Sequence, residues 1–361
     1  MNRTPLFEIH KKLKGKLVEF GGWEMPLFYS GVVAEHKGVR EQVGLFDICH
    51  MGRLIVKGRD AESFLQKMTV NNVTVLVPGK AQYSLDCNPE GGVKDDIFIY
   101  KKGPGDYFIC VNASNREKIY QWFLSHKGNG ELSIEDASGR LGMLALQGPK
   151  APVLLEKILG RKYKPLKHAE FYEEELVGVQ VMIARTGYTG ERGYEFYFPI
   201  QGVEKLWDLF LKSGQEEGII PVGLGARDTL RLEMGYALYG HELGEDISPL
   251  EADLAKFVYF DKEFIGKEAL LKQKQKGLSK ILVGFELKIK NVPRQQCKLF
   301  HGDQEIGEVT SGNLTPSVQK GIGLAFVQIP WSKKGEEISV SIREKMIPAV
   351  VTEKCFYKKN K

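Results

Sequence analysis

Gly91-Gly92-Val93-Lys94-Asp95-Asp96-Ile97-Phe98-Ile99-Tyr100 is a tight glycine turn feeding a strand with two acidic residues at its start. Side chains alternate along a strand, so Asp96, Phe98 and Tyr100 share one face while Asp95, Ile97 and Ile99 take the other. The Gly- and Pro-containing loop Lys101–Asp106 leads to a second strand, Tyr107–Asn112. If the two strands form a hairpin, Asn112 falls opposite Asp95 or Asp96, within one residue of register. The Asp pair either caps the turn or offers a carboxylate, beside an amide and aromatic rings, to a cationic or N–H-rich ligand. At most one of two adjacent strand residues meets such a ligand, and Asp96 is the candidate because its face carries the aromatics.

Outward from this hairpin, helix and strand periodicities alternate, which favours an α+β architecture over a helical bundle or a sandwich. Helices are expected over Ala61–Met68, Asn115–Ser125 and Ala151–Leu159, the last after a strand at Leu141–Leu146 and the turn Gln147-Gly148-Pro149. The lysine-rich stretch Leu270–Lys280 reads as an exposed helix end or linker. Beyond it lie short strands at Ile281–Leu287, Glu305–Thr310, Gly323–Val327, Ile338–Ile342 and Ala349–Thr352, the spacing of a small C-terminal β-barrel or jelly-roll.

Two further stretches could carry chemistry. Arg185-Thr186-Gly187-Tyr188-Thr189-Gly190-Glu191-Arg192-Gly193-Tyr194-Glu195 lies between strands Val177–Ala184 and Tyr194–Phe198. Its three glycines imply positive φ or close approach of a ligand. Glu195 lies on the face opposite Tyr194, Phe196 and Phe198, so it faces solvent or a cleft. In a cleft its carboxylate could accept two parallel N–H donors, with Tyr188 laying a ring against a flat heterocycle. Gly223-Leu224-Gly225-Ala226-Arg227-Asp228-Thr229-Leu230-Arg231-Leu232-Glu233 reads as a helix with Arg227 and Arg231 on one face. Asp228 is placed to pair with Arg231. That pattern is either a surface ion-pair ladder or a forked donor aimed at a ligand.

Composition narrows the classes. The 361 residues allow two or three domains. A net charge of +5 with both signs interspersed lacks the basic face of a DNA-binding protein. No stretch reaches the ~18 apolar residues of a membrane span, and the charged start Met1–Lys16 lacks the apolar core of a signal peptide. Five scattered cysteines read as reduced thiols in a cytoplasmic compartment. No HExxH, paired-Cys spacing, Walker lysine, complete dinucleotide fingerprint or Gly-x-Ser-x-Gly elbow is present, so no metal is expected. The basic tail Lys358–Lys361 is either a solvated terminus or a contact for an acidic carrier.

In order along the chain, several runs resemble those of the glycine cleavage system T-protein (aminomethyltransferase) family. They include Phe20-Gly21-Gly22-Trp23-Glu24-Met25-Pro26, Phe46-Asp47-Ile48-Cys49-His50-Met51-Gly52, Gly92–Asp96 and Val111-Asn112-Ala113. Leu146–Pro149, Thr186–Glu195, Gly223–Glu233, Ile247-Ser248-Pro249 and Thr310–Pro316 follow. The resemblance implies a three-domain cloverleaf around a central tetrahydrofolate funnel. Its folate-binding α+β domain would be discontinuous (1–52 and 139–270), its second α+β domain 53–138, and its barrel 280–361.

It further implies transfer of an aminomethyl group from lipoylated H-protein to tetrahydrofolate, with ammonia released and 5,10-methylenetetrahydrofolate formed. P-protein and L-protein would be functional associates, with neither nucleic acid nor membrane involved. Asp96 would be the catalytic carboxylate, acting electrostatically on the transferred carbon. Glu195 would grip the pterin edge, with Arg227 beside it and Tyr188, Asn112, Tyr83, Tyr100, Met51, Asp95 and Tyr357 as further folate-binding residues. The chain departs from the family pattern at Cys49, where serine is common, and at Lys94, where a hydrophobic residue is usual. Lys94 either lowers the pKa values of the neighbouring aspartates or points to solvent. A folate-dependent demethylase of a small methylated substrate and a non-catalytic folate-binding protein are the alternative functions.

Overall fold

The structure is a computed structural model that describes residues 1–163 and 165–358. Most of the basic tail, residues 359–361, therefore lies outside the described residues. Two compact units emerge: Met1–Leu65, Val73–Tyr83 and Ile97–Asp228 form the first, and Gln66–Asn72, Ser84–Asp96 and Thr229–Lys361 the second.

The first unit opens with a small sheet in which β1 (Asn2–Arg3) and β2 (Lys16–Phe20) flank β3 (Trp23–Phe28). Helix α1 (Phe7–Lys12) precedes β2, and α2 (Val32–Glu41) follows the sheet. A six-stranded sheet forms its centre. Its order is β11 (Phe171–Leu176), β12 (Val179–Ala184), β13 (Gly193–Pro199), β10 (Leu141–Gln147), β4 (Val43–Asp47) and β14 (Ile219–Pro221). Tyr194, Phe196 and Phe198 of β13 pack with Trp207 and Phe210 of α6 (Val203–Ser213) and with Leu154 and Leu155 of α5 (Ala151–Leu159). Pro152 in the first turn of α5 sits where its missing N–H costs nothing. Alternation on β13 leaves Glu195 and Tyr197 on the face away from that core.

A five-stranded sheet has the order β6 (Lys80–Cys87), β7 (Val93–Gly103), β8 (Asp106–Val111), β5 (Gly52–Gly58) and β9 (Leu132–Asp136), with α3 (Ala61–Met68) and α4 (Arg116–His126). The expected hairpin is present as the antiparallel β7–β8 pair. Its ladder runs to Phe98 opposite Cys110, two residues short of Asp96 and of Asn112.

Helix α7 (Leu224–Glu233) begins in the first unit and ends in the second. The second unit continues with α8 (Lys267–Lys276), the helical part of the lysine-rich stretch, and then a closed barrel. The barrel order is β15 (Lys280–Leu287), β18 (Gly321–Gln328), β17 (Gln304–Leu314), β16 (Lys298–His301), β19 (Glu337–Ile342) and β20 (Lys345–Thr352). Val283, Phe285, Leu299, Ile306, Val327, Val340 and Val351 fill it. Closure removes the open sheet edges that jelly-rolls must otherwise protect. The fold is thus mixed α/β with a C-terminal six-stranded barrel. Among the described residues, no helix is long and apolar enough to cross a membrane.

The helix carrying the two arginines is not a surface ladder. Arg231 is buried and ion-pairs with Glu242 at 3.1 Å, while its other fork tine donates to the Ser311 hydroxyl at 2.8 Å. Glu242 lies eleven residues on in the chain, beyond the reach of helix spacing rules. The Glu233 carbonyl accepts the N–H groups of Phe356 and Tyr357, which anchors the chain after the last barrel strand.

Candidate functional site

Glu195 in the first unit is the most developed functional group. Part of the residue is open, yet its carboxylate is desolvated, and burial raises its pKa. The Thr186 hydroxyl (2.5 Å), the positive charge of Arg227 and the Tyr197 hydroxyl (3.2 Å) oppose that rise by favouring the anion. Both hydroxyls converge on Oε2, and Tyr100 adds to the same support, which fixes the carboxylate's orientation. Glu195 therefore does not stand in open solvent; it is a held carboxylate.

The hydroxyls are themselves held. Tyr100 is fully buried, and its OH lies 2.8 Å from Tyr197 OH and 3.3 Å from Thr186 Oγ1. Its ring meets Phe108, Phe171 and Tyr197 edge-on at 5.5–5.6 Å. Tyr100 thus supports the carboxylate from behind. Half-buried Tyr83 and Phe98 pack edge-on at 5.7 Å. The Arg227 guanidinium lies 4.7 Å over the Tyr188 ring, a stacked arrangement that a lysine would not reproduce. Burial lowers the pKa of Arg227, and the neighbouring Tyr188 and Glu195 side chains work against that drop.

Next to these groups runs the segment from Asp47 to Met51. Asp47 is buried and accepts from Thr4 (2.6 Å), His10 (2.9 Å) and the Cys49 N–H (2.9 Å). Burial alone would raise its pKa, but the His10 hydrogen bond and the other donors bring it to about 2. The Cys49 thiol donates to Met143 O at 3.2 Å and accepts from Met143 N at 3.3 Å, the pair of bonds that serine would make. His50 is buried, with Nδ1 lacking a hydrogen-bond partner. Burial and then the charge of Arg227 depress its pKa to about 3. Met51 is half-buried, and Asn112 is half-buried at the end of β8, its carbonyl accepting from Asn115 N.

The low pKa of His50 predicts a pH dependence of stability. Between pH 6.5 and about 3 the unfolded chain binds a proton at this position that the folded chain refuses. Stability therefore rises with pH across that window, by up to about 1.4 kcal/mol per pH unit. Asp47 acts in the same direction, but only below its ordinary 3.8. Denaturant midpoints compared between pH 7 and 4.5 should fall less in His50→Gln than in wild type. Equal falls would remove His50 as the cause.

The acidic strand start belongs to the second unit. Gly91 takes φ +86° in the turn, and a Cβ on Gly92 would lie 1.8 Å from the Glu245 carbonyl, so glycine is required there. Val93 N donates to the carbonyls of Gly244 and Ile247, fixing the strand against the 244–247 segment. Asp95 is fully buried, whereas Asp96 is half-buried. Tyr239 records the charge here. Its pKa is raised by burial first, then by Glu245 and Asp95, with Asp96 contributing. Lys94 does not point to solvent: it is buried and its ammonium reaches Glu245 at 3.2 Å. A cavity of ≈ 320 Å³ opens beside the turn, lined by Glu90, Glu245, Asp246, Glu251 and Gln273 among others. Tyr357 is half-buried and held by its N–H on Glu233.

The first unit therefore brings together Glu195, Tyr100, Tyr188 and Arg227; the second holds Asp95, Asp96 and Tyr357. Thr186 and Tyr197 had no role in the sequence-based picture. Tyr197 was accessible to reasoning, because it sits two residues from Glu195 on the same strand face. Among the described residues no cluster of three or more His, Cys, Asp or Glu is arranged to hold a metal.

Residues 6–262 match the family model described as the GCVT N-terminal domain, and residues 280–358 match the glycine cleavage T-protein C-terminal barrel domain. An aminomethyltransferase of Caldanaerobacter subterraneus subsp. tengcongensis is 45% identical over 362 residues, covering 100% of this chain and 97% of that protein. One from Bacillus mycoides is 44% identical over 364 residues, covering 100% and 99%. The crystal structure of glycine cleavage system aminomethyltransferase T from Bartonella henselae has a TM-score of 0.93 at 32% identity, covering 99% of this chain and 98% of that one. Likeness of this extent, at both ends of the chain and across both family models, means that the chain belongs to the glycine cleavage T-protein family of aminomethyltransferases.

Proposed function

We propose that this chain carries out the aminomethyl transfer of glycine cleavage. The one-carbon unit leaves the lipoyl arm of H-protein for tetrahydrofolate, ammonia is released, and 5,10-methylenetetrahydrofolate and dihydrolipoyl H-protein remain. The observation that carries this reading is the 45% identity to an aminomethyltransferase over the whole chain. The direct partner is lipoylated H-protein, with P-protein and L-protein linked through the same system.

Tetrahydrofolate supplies the two nitrogens between which the carbon is finally held. The chain's own residues bind and orient it. Glu195 is suited to the amino-imine edge of a pterin, since a desolvated carboxylate oriented by the Thr186 and Tyr197 hydroxyls accepts N–H donors. Tyr188 and Arg227, already stacked, offer a flat surface and a fixed positive charge beside it. Met51, Asn112, Tyr83 and Tyr100 line or support this grip. In the second unit, Asp96 provides the negative charge that favours a developing cationic carbon, with Asp95 and Tyr357 as neighbouring contributors. The division into a discontinuous domain (1–52 and 139–270), a second domain (53–138) and a barrel (280–361) completes the proposal.

The test is an ammonia-release assay on purified protein. Aminomethylated H-protein should yield ammonia only when tetrahydrofolate is added. Activity with a small methylated donor, and none with aminomethylated H-protein, would replace this reading by a demethylase.

A further inference from the structure

The geometry points to Gln147 as a positioning residue for the Glu195 carboxylate, acting through the loop that carries Thr186 and Tyr188. This inference rests on the reading of Glu195 as the pterin-edge acceptor and adds the element that sets its aim.

Gln147 ends β10 and is 1% exposed. Its Nε2 donates to the Thr186 carbonyl at 3.2 Å and reaches the Tyr194 carbonyl at 3.5 Å. Its Oε1 accepts from the Thr189 hydroxyl at 2.9 Å. One planar amide thus holds both limbs of the loop. The residue it grips by the backbone, Thr186, is the one whose hydroxyl donates to Glu195 Oε2 at 2.5 Å. Arg40 secures the far side, donating to the Thr189 carbonyl at 2.6 Å and to Glu191 at 3.0 Å.

The glycines flanking the loop carry the same message. Neither Gly187 nor Gly193 has positive φ; of the three glycines only Gly190 does, at +75°. A Cβ on Gly187 would stand 2.1 Å from Gln147 Oε1, and one on Gly193 would stand 2.6 Å from its amide carbon and nitrogen. Gly187 therefore makes room for the Gln147 amide, while a Cβ on Gly193 would meet the Leu146 carbonyl at 2.5 Å as well as that amide. An apolar side chain of the same size would fill the space but strand the Thr186 carbonyl and the Thr189 hydroxyl, which buried polar groups resist.

Because Gln147 touches the loop backbone and not the reacting atoms, its loss should appear in folate binding. Gln147→Met is expected to raise the KM for tetrahydrofolate about 5- to 15-fold, the size of one lost buried hydrogen bond. Its kcat should fall by less than about twofold, and the KM for aminomethylated H-protein should stay unchanged. Thr186→Val should raise the folate KM similarly. The double variant should be no worse than Thr186→Val alone, the signature of two residues acting through one contact. Should Gln147→Met fail to fold, Thr189→Val removes the Oε1 contact, together with the Glu191 N–H bond to the same hydroxyl, but leaves Nε2 on the Thr186 carbonyl, and should give a smaller rise of the same kind. Multiplying effects in the double variant, or kcat falling together with a raised KM for both substrates, would overturn the inference. Glu195→Ala is the control: an unchanged folate KM there would sink the Glu195 reading itself. A raised folate KM in Glu195→Ala, alongside none in Gln147→Met or Thr189→Val, would overturn the Gln147 role alone.

Discussion

Asp96→Asn is expected to lower kcat for one-carbon transfer by about 100-fold or more, the scale of removing one preorganised electrostatic contact, while the KM for tetrahydrofolate changes little. The substitution keeps the shape and the strand and removes only the charge. Negative charge is concentrated at this strand: fully buried Asp95 is adjacent, and both carboxylates help raise the pKa of Tyr239. The nearby cation Lys94 is directed to Glu245 at 3.2 Å. Single-turnover ammonia release from aminomethylated H-protein separates the chemical step from binding. Turnover equal to wild type in Asp96→Asn would withdraw the catalytic role.

Glu195→Ala should do the reverse, weakening tetrahydrofolate binding by roughly 10- to 100-fold, as befits hydrogen bonds to a charged group, with a modest effect on kcat. The Thr186 and Tyr197 hydroxyls would lose their acceptor, and Arg227 would lose a neighbouring anion. Direct titration of tetrahydrofolate against wild type and variant checks the expectation. Affinity that survives the substitution would mean that the pterin edge is read elsewhere.

The contrast between these two carboxylates also marks how far sequence reaches. Helices Ala61–Met68 and Ala151–Leu159 were legible to the residue because periodicity and a first-turn proline mark them. Five of the six barrel strands were visible from their close spacing and the Gly, Pro and Asn residues that punctuate them. The sixth, Lys298–His301, is four residues long with only Leu299 fully buried, too short for a pattern. Alternation placed Glu195 away from Tyr194, Phe196 and Phe198. It could not show that the carboxylate is held, because the Tyr100–Tyr197 and Gln147–Thr186 contacts join positions 97 and 39 residues apart. The same distance blindness hid Glu242 behind Arg231 and Glu245 behind Lys94.

The Gln147 amide wedged between Gly187 and Gly193 has an evolutionary corollary. Gln147 and Gly187 lie far apart in the chain yet share one small volume, so they cannot drift independently. A lineage that shortens the side chain at 147 frees room for alanine at 187, whereas alanine arriving first meets the amide head-on. Among related chains, position 147 should therefore change before or together with Gly187, a pairing that an aligned set of sequences would display as covariation.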